Sequence, residues 1–524
     1  DRSLPYANIF VPQTKFKSIT NVDGLFTIND LPSDTAKIVI SFMGYDNYNL
    51  YLTPQTITNN FVVEMDQTPV FDSEVVVFSK IPNILKTNEK VGVIKFTPAK
   101  LGVLPNLGEK DILRALQLMP GVSAANENSA GLYVRGGTPD QSLVLYDGFT
   151  VYNVDHLFGF FSAFNSNAIK DVQLYKGSFD AKYGGRMSSV AEFTGKEGNS
   201  KNVNFGGDIS LMSLNGFIET PLNDKSTLFI AGRRSYQGPL YDQIFKQFNP
   251  ARSNPGGFGG RRFGASNLSQ IASYFYDVNG KYTYRPNAKD VISISVFNGT
   301  DDLDNSTKIN TPSFLANSGV NLNFNNSDIT NWGNTGASMK WSRKWNPKFY
   351  SNGLLSFSNY FSNRNLSNGG TIIRNDSTIN FKTGTFENNQ LLDYSAKLDF
   401  TWEINNSNKI EFGGQANHFD VSYKYAQNDT STLIDRNTQG DLIAGYIQDK
   451  IEIVDKLKAT IGGRFNYFSP TSKLYNEPRF NLTYNLNDKI NIKAAAGRYY
   501  QFIKRVIRED IQQGSRDFWA LTDG

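Results

Sequence analysis

The amino-acid sequence predicts a mainly β protein whose largest part, residues 198–524, forms an antiparallel transmembrane β-barrel. The first observation is a period of two that begins near residue 202. In "YFYDVNGKYTYR" (274–285), an aromatic or apolar side chain alternates with a mostly polar one. Such alternation is typical of a strand with one face in lipid and the other in a wet lumen. The mean hydropathy of −0.40 and the absence of an apolar run of about 18 residues exclude transmembrane helices, but barrel strands look polar on average.

The second observation is that short turns alternate with long loops in this region. Because every second connection of an up-and-down meander lies at the same end, the short turns fall at one end and the long loops at the other, as in outer-membrane barrels. A soluble sandwich shares the period of two, so the alternation of connections is what favours the barrel. Short turns are expected near 223–225, 286–290, 345–348, 405–408, 454–456 and 487–489, and loops near 236–271, 299–330, 362–390, 425–438 and 469–474.

The number of strands indicates that the barrel is not closed within residues 198–524. We count about 13 strands, the last near 489–500, whereas single-chain bacterial barrels have even numbers. An open sheet would leave unpaired edges in lipid. The tail 501–524 is expected to be a loop, so we expect the closing strands to lie beyond it.

Residues 1–66 are predicted to form a small, non-catalytic β-sandwich. Its strands are separated by turn signals at Val22-Asp23-Gly24 and Leu31-Pro32. The opening "DRSLPYANIFV" reads as a strand entered in mid-domain, so we expect the chain to be trimmed at its front. The expected strands are Ala7–Val11, Leu25–Ile28, Lys37–Phe42 and Phe61–Glu64.

Residues 67–90 lack periodicity and are predicted to be a linker. The linker contains "SEVVVFS" (73–79), an apolar, β-branched run in an extended context. Such a run can add itself to the edge of a partner's sheet, because backbone hydrogen bonds supply affinity with little demand on sequence. Pairing within its own chain is the alternative.

Residues 91–197 are predicted to form a compact α+β domain with its own core. "DILRALQLMPGV" (111–122) places apolar residues at helical spacing, and Pro120-Gly121 ends the helix. A short helix is also expected near Asn165–Ile169. Short strands are expected at Leu132–Arg135, Leu143–Tyr146, Val172–Tyr175 and Ser189–Phe193.

Composition excludes several classes of function. The net charge of +4 gives no argument for binding nucleic acid. The chain has no cysteine and only two histidines, His156 and His418, so we expect no metal centre and no other cofactor. No nucleophile–base set is visible, so we expect no enzyme.

Two segments resemble known families. "ILRALQLMPGVS…LYVRGGTPDQSLVLYDGFTVY…NAIKDVQLYKGSFDAKYGGRMSSV" looks like the plug of TonB-dependent outer-membrane receptors, in the order of that family's elements. "LPYANIFV…TNVDGLFTINDLP…IVISFMGY" resembles a carboxypeptidase-regulatory-like domain, which precedes the plug in Bacteroidetes-type receptors. "SFDAKYGGRMSSVAEF" departs from the plug ending of starch-uptake receptors and looks closer to receptors for siderophores or other small ligands.

The resemblance implies a mechanism and a set of partners. A barrel of about 22 strands would hold the plug in its lumen in the outer membrane of a Gram-negative cell. TonB, with its ExbB/ExbD motor, would grip a TonB box in the periplasm, and the box candidate is Ser73, Glu74, Val75, Val76 and Val77. A small ligand outside and the lipid bilayer would complete the partners, with no nucleic acid.

The resemblance also implies site residues. The plug loops that face outward would contact the ligand through Glu127, Asn128, Thr138, Asp140, Gln141, Tyr152 and His156. For each of these residues, the alternative is that it stabilises the fold or only faces solvent. Arg135 and Arg186 follow the pattern in which plug arginines pair with barrel carboxylates, because a buried arginine needs such a partner. The expected function is energised import of a scarce ligand. The alternative is a scaffold or docking subunit that transports nothing and assembles with other outer-membrane proteins or lipoproteins.

Overall fold

The structure of the protein is a computed structural model, which describes part of the chain. No helix among the described residues is long enough and apolar enough to cross a membrane. The described residues are 3–4, 7–12, 14, 17–21, 23–28, 31, 36–42, 45–53, 62–65, 86–87, 92–98, 110–124, 131–157, 159–236, 272–309, 320–374, 377–428, 431–454, 456–487, 490–508 and 516–523.

The N-terminal domain contains an antiparallel sheet of four strands in the order β2–β1–β3–β4. Ile9, Ile38 and Ile40 are buried in its core, and the strands expected at 7–11 and 37–42 are confirmed. The expectation of a strand at 25–28 is wrong, because polar groups of this segment bind the barrel instead of a neighbouring strand. Residues 62–64 are also outside the sheet, although Val63 packs on its core. The strands are β1 (Asn8–Phe10), β2 (Lys17–Ile19), β3 (Lys37–Ser41) and β4 (Tyr48–Tyr51).

The second domain is built on a mixed sheet of six strands in the order β10–β9–β14–β13–β6–β5. The predicted helix α1 (Ile112–Gln117) packs on this sheet, and the Asp111 side chain accepts a hydrogen bond from the Arg114 N–H at its start. The helix expected near 165–169 is wrong. A turn occupies 166–168, and the apolar run that follows is buried as β13. The strands are β5 (Lys86–Thr87), β6 (Val93–Phe96), β7 (Val122–Ser123), β8 (Tyr133–Val134), β9 (Ser142–Tyr146), β10 (Phe149–Thr150), β11 (Asp155–His156), β12 (Phe161–Ser162), β13 (Ile169–Lys176) and β14 (Ser189–Gly195).

The third part is an antiparallel meander of 13 strands, each paired with the next along the chain, and β20 pairs with β21 beside this path. The predicted short turns near 223–225, 286–290, 345–348 and 405–408 join these strands at one end. Those expected at 454–456 and 487–489 include residues outside the described ones. The strands are β15 (Asn204–Ile209), β16 (Ser213–Asn223), β17 (Ser226–Ser235), β18 (Ala272–Asn287), β19 (Asp290–Asp304), β20 (Thr307–Ile309), β21 (Val320–Asn346), β22 (Phe349–Arg374), β23 (Ser377–Glu403), β24 (Asn408–Gln427), β25 (Ser431–Val454), β26 (Leu457–Phe468), β27 (Lys473–Asn487) and β28 (Ile490–Gly497).

The two faces of the meander carry the two sets of side chains that the sequence predicts. Outward-facing residues such as Ile443, Ile447 and Phe465 are exposed, whereas their neighbours Tyr446 and Arg464 are buried. The polar set is buried because the second domain fills the space inside the curved sheet. The second domain is therefore a plug in the lumen of the barrel.

Several predicted long loops are largely strand. β21 and β23 are each 27 residues long, whereas about 9–11 residues of tilted strand cross a bilayer. Most of the loops expected at 362–390 and 425–438 belong to paired strands. Antiparallel pairing needs only backbone groups, so it continues through Asn- and Ser-rich segments that have lost the apolar alternation.

The tail expected to be a loop folds back into the lumen. β29 (Ile503–Arg508) and β30 (Arg516–Leu521) pair with each other and not with the barrel sheet. Trp519 of β30 is buried against the inner face of the barrel, and its backbone exchanges hydrogen bonds with the Asn389 side chain. The hairpin therefore covers part of the plug from inside the barrel.

Candidate functional site at the interface of plug and barrel

A buried cluster of four charged side chains joins the plug to the barrel wall. His156, on β11 of the plug, lies 2.6 Å from Asp301 Oδ2 through Nδ1 and 3.6 Å from Asp277 Oδ2 through Nε2. Arg233 Nε donates to the same Asp277 oxygen at 2.6 Å. We call these four residues the His156 cluster. His156, Asp277 and Asp301 have no exposed side-chain surface, and Arg233 has almost none.

The plug backbone takes part in the same cluster. The Leu157 N–H donates to Asp301 Oδ1 at 2.9 Å, and Arg233 donates to the Ser162 carbonyl at 2.7 Å. The His156 ring stacks on Phe275 of β18 with centroids 4.4 Å apart. The imidazole is therefore held by packing as well as by charge.

The environment of His156 favours the protonated, positively charged form of its imidazole. Burial alone would lower the pKa of its imidazole, but the charge of Asp301, the hydrogen bond that Nδ1 donates to Asp301 and the nearby Asp277 carboxylate outweigh burial and raise the pKa to about 9. With His156 protonated, two positive and two negative groups give the cluster no net charge. Charged groups can be buried at an interface without water when they pair with groups of opposite charge, as these four residues do.

A second contact is made by the turn between β9 and β10. Asp147 and Gly148 both have positive φ, 44° and 99°, as in the two-residue type I′ turn that Asp-Gly favours. The turn directs the Asp147 carboxylate at the wall. There it lies 2.9 Å from Lys281 Nζ and accepts a hydrogen bond from the Ser295 hydroxyl at 2.8 Å.

A third contact lies where the plug leads into the barrel. Glu197 accepts from Arg285 at 2.6 Å and lies 3.7 Å from Lys170 Nζ. Burial would raise the pKa of Glu197, but the charges of Lys170 and Arg285 outweigh it and hold this pKa well below 4.5. Burial lowers the pKa of Lys170 to about 8, although Glu197 opposes that change.

On β25 and β27, at the other side of the plug from the His156 cluster, barrel side chains bind the plug backbone. Arg479 donates to the Asp180 carbonyl at 2.6 Å, and the Ala181 N–H donates to the Gln448 side chain at 2.7 Å. The Asp180 carboxylate lies 3.5 Å from Lys450. The plug is thus attached to the barrel wall on both sides.

Two residues predicted to contact ligand are buried in these attachments. His156 belongs to the cluster above, and Tyr152 donates to Asp393 at 2.9 Å through its hydroxyl. The Tyr152 ring meets Trp519 edge-on at 5.2 Å. Sequence reasoning left a structural role open for both, and packing against the wall is the role that the structure describes.

Three other predicted residues lie together at the short 3-10 helix Pro139–Gln141. Thr138 is exposed, and its hydroxyl donates to Asp140 at 2.5 Å. Asp140 also accepts from Gln501, and the Gln141 carbonyl accepts two backbone hydrogen bonds from 187–188. Glu127, Asn128 and the box candidate Ser73, Glu74, Val75, Val76 and Val77 lie outside the described residues.

The two plug arginines do not form the expected pairs. Arg135 is exposed, so it does not have the buried charge for which a carboxylate partner was expected. Arg186 is buried, but its guanidinium lies over the rings of Tyr152 and Trp519, at 5.9 and 5.5 Å, and donates to the Gly185 carbonyl. Neither arginine lies within ion-pair distance of a barrel carboxylate among the described residues. Aromatic faces stabilise the buried cation, and the Asp393 carboxylate of the wall adds a longer-range attraction.

The ion pairs that do form were not identified from the sequence. The period of two places Asp277 and Lys281 on the lumen side of β18, which was the available signal. Their plug partners are more than a hundred residues away in the chain, so the pairing required the fold. No group of three or more potential metal-binding side chains occurs within the part of the chain that the structure describes.

Comparison with known proteins agrees with this architecture. The chain matches models of a CarboxypepD_reg-like domain at residues 1–77, a TonB-dependent receptor plug domain at 102–191 and a TonB-dependent receptor-like β-barrel at 247–503. No curated protein sequence matches it.

Similar solved structures include an outer membrane transporter, a ferric enterobactin receptor and a siderophore receptor. The outer membrane transporter YddB from Escherichia coli has a TM-score of 0.55 at 13% identity, over 82% of this chain and 63% of that one. A mutant of the ferric enterobactin receptor PfeA from Pseudomonas aeruginosa has 0.53 at 12%, over 80% and 62%. The siderophore receptor PirA from Acinetobacter baumannii has 0.52 at 14%, over 79% and 61%. The chain thus spans about three-fifths of their length.

Proposed function

This chain belongs to the TonB-dependent receptor family, and from that premise we propose that it is an outer-membrane transporter that imports a scarce small ligand by energised displacement of its plug. Members of this family are not enzymes. The observation that carries the proposal is the buried attachment of the plug to the barrel wall through the His156 cluster, Asp147–Lys281 and Glu197–Arg285.

These attachments explain why passage would need energy. Taking one partner away from a buried ion pair costs roughly 3–5 kcal/mol when the other stays buried, and less when water reaches both. Several such contacts act together, so thermal motion alone would open the plug rarely. Work supplied from the periplasm would shift the equilibrium.

The periplasmic partner would be TonB with its ExbB/ExbD motor. The segment at 73–79 is the candidate box because it lies between the N-terminal domain and the plug and consists of residues that favour an extended conformation. TonB would bind it by strand addition, in which backbone hydrogen bonds provide the affinity.

The ligand would bind from the long-loop side of the barrel. Thr138, Asp140 and Gln141 offer donors and acceptors at the surface of the plug, and Glu127 and Asn128 are proposed to extend this set. PfeA and PirA are named as receptors for ferric enterobactin and for siderophores. A siderophore or another small nutrient is therefore the proposed ligand class.

The decisive experiment removes residues 73–79 from the full-length protein in its host. Uptake should be lost while ligand binding at the cell surface is retained. A deletion of seven residues elsewhere in the linker is the control and should leave uptake intact. Unchanged uptake after removal of 73–79 would reject energised import through this segment. If the unaltered protein binds partner proteins in a fixed ratio and supports no uptake, the alternative is favoured, in which the protein is a docking subunit of an outer-membrane complex.

A further inference from the structure

A turn of the N-terminal domain lies in the short-turn mouth of the barrel. The turn is closed by Asn21, whose side-chain oxygen accepts from the N–H groups of Asp23 and Leu25, at 3.0 and 2.9 Å. Gly24 has a φ of 76°, and a Cβ there would lie 2.9 Å from the backbone of Leu4. The turn is thus tightly fixed within its own domain.

The turn and the residues after it contact the ends of two barrel strands. Asp23 lies 3.0 Å from Lys340 Nζ, and its side chain is only 6% exposed. The Thr27 hydroxyl lies 2.7 Å from the Tyr350 hydroxyl, and Lys344 donates to the Phe26 carbonyl at 3.4 Å. These barrel residues flank the short turn between β21 and β22. The domain therefore meets the wall and not only the plug.

Separate contacts connect the domain to the end of the plug and to the residues that lead into the barrel. Ser3 donates to Glu197 through its hydroxyl at 2.7 Å and through its N–H at 3.3 Å. Glu64 forms an ion pair with Lys201, and both side chains are about half exposed. The domain is thus held at two places on the rim.

Between the N-terminal domain, the plug and the wall lies a cavity of about 500 Å³. It is lined by Asp23 and Phe26 of the N-terminal domain and by Gly148 and Arg186 of the plug. Lysines and carboxylates of the barrel, among them Lys450, also line it. The volume is in the range of pockets that bind small ligands, about 300–1,000 Å³.

We infer that the N-terminal domain is a second gate, which closes the barrel below the plug and must leave the rim before a ligand can pass. This inference rests on the proposed import. A ligand that has passed the plug on this side would enter the cavity and meet residues 23–27 of the N-terminal domain. The gate gives the domain ahead of the plug a role in the transport cycle.

The order of the chain suggests which gate opens first. The candidate box at 73–79 lies between the N-terminal domain and the plug, so a pull on it loads both. Among the described residues, the domain has two ion pairs with the rim: Asp23–Lys340 is largely buried and Glu64–Lys201 is solvent-exposed. The plug has several ion pairs with the wall, and those of the His156 cluster and Asp147–Lys281 are all buried. An exposed ion pair contributes little to the stability of a contact, whereas breaking a buried ion pair costs much more. The domain therefore releases before the plug.

The test cross-links the domain to the barrel in the full-length protein. None of the 524 residues is cysteine, so within them Asp23→Cys with Lys340→Cys introduces one defined pair. Lysine reaches Asp23 with its whole side chain, so a direct disulfide would be too short, and a short, reducible, thiol-specific cross-linker is used. Glu403→Cys with Lys409→Cys, which pair across β23 and β24, gives a matched control within the barrel.

Cross-linking the test pair should abolish uptake, and reduction should restore it, whereas the control pair should transport throughout. Full cross-linking with unchanged uptake would overturn the gate. Absence of uptake in the untreated parent would reject import itself, a failure that is distinct from failure of the gate.

A second measurement tests docking without transport. The yield of cross-linked Thr27→Cys with Tyr350→Cys should fall when Lys340→Glu is added and recover when Asp23→Lys is added as well. An equal yield in all three backgrounds would contradict the docked domain.

Discussion

The His156 cluster predicts that attachment of the plug depends on pH through a single imidazole. The perturbation is His156→Gln, which keeps a hydrogen-bond donor near Asp301 and removes the charge. The ordinary pKa of histidine is 6.5, and in the cluster it is about 9. At about 1.4 kcal/mol for each pKa unit, this gap corresponds to roughly 3 kcal/mol.

The sign follows from the direction of the change. Because the folded pKa is raised, the stabilisation is fully present below pH 6.5 and is lost as pH rises through about 9. In the parent, the free energy of plug opening should therefore fall by about 3 kcal/mol over this interval, or by a few hundred-fold in the opening equilibrium. In His156→Gln it should be low at all pH values and nearly flat.

The assay is hydrogen exchange of the plug amides near β11 and β12 in the purified protein, corrected for the intrinsic effect of pH on exchange. Barrel amides distant from the plug, such as those of β28, serve as an internal control. If the variant shows the same protection and the same pH dependence as the parent, His156 does not hold the plug by its charge.

Three further predictions concern the same interface, each measured as the free energy of plug opening. Gly336→Ala should lower the free energy of plug opening by about 1–3 kcal/mol, because a Cβ there would lie 2.2 Å from the buried Phe149 ring. Gly445→Ala, where no atom lies within 4 Å of the new Cβ, is the control and should change it little. Equal effects of the two substitutions would contradict the packing of Phe149 on Gly336. Lys281→Met should lower the free energy of plug opening by roughly 3–5 kcal/mol, because it leaves Asp147 buried without its cationic partner. Adding Asp147→Asn should recover much of this loss. Purely additive effects of the two substitutions would show that the pair does not interact. The pKa of Glu197 is depressed, so the stabilisation that Glu197 gives to the plug is present above pH 4.5 and is lost as pH falls below that value. Glu197→Gln should remove this acid sensitivity. An unchanged acid profile in the variant would refute the role of Glu197.

Strand alternation and turn spacing were enough to predict the barrel, because both are local properties of the sequence. The same two signals placed Asp277 on the lumen side of β18. The ends of the strands were harder to predict: β21 to β23 continue beyond the apolar band, where pairing depends on backbone groups and leaves no pattern in the side chains.

The interface residues were predicted less well than the fold. His156 and Tyr152 were recognised as polar groups of the plug, but their burial depends on which barrel strands they meet. Arg186 was expected to pair with a carboxylate because charge is visible in a sequence, whereas the rings of Tyr152 and Trp519 come together only through the hairpin of β29 and β30. The docking of residues 23–27 on the barrel left no signal beyond the turn itself.

The central claim is that a plug anchored in the lumen is displaced by force from the periplasm. Ser162→Cys places a single thiol at a position of the plug that is 2% exposed, next to Arg233 of the wall. Labelling of this thiol by a small polar reagent in living cells should require both the ligand and an energised TonB motor. Labelling at the same rate with the motor disabled would contradict the account.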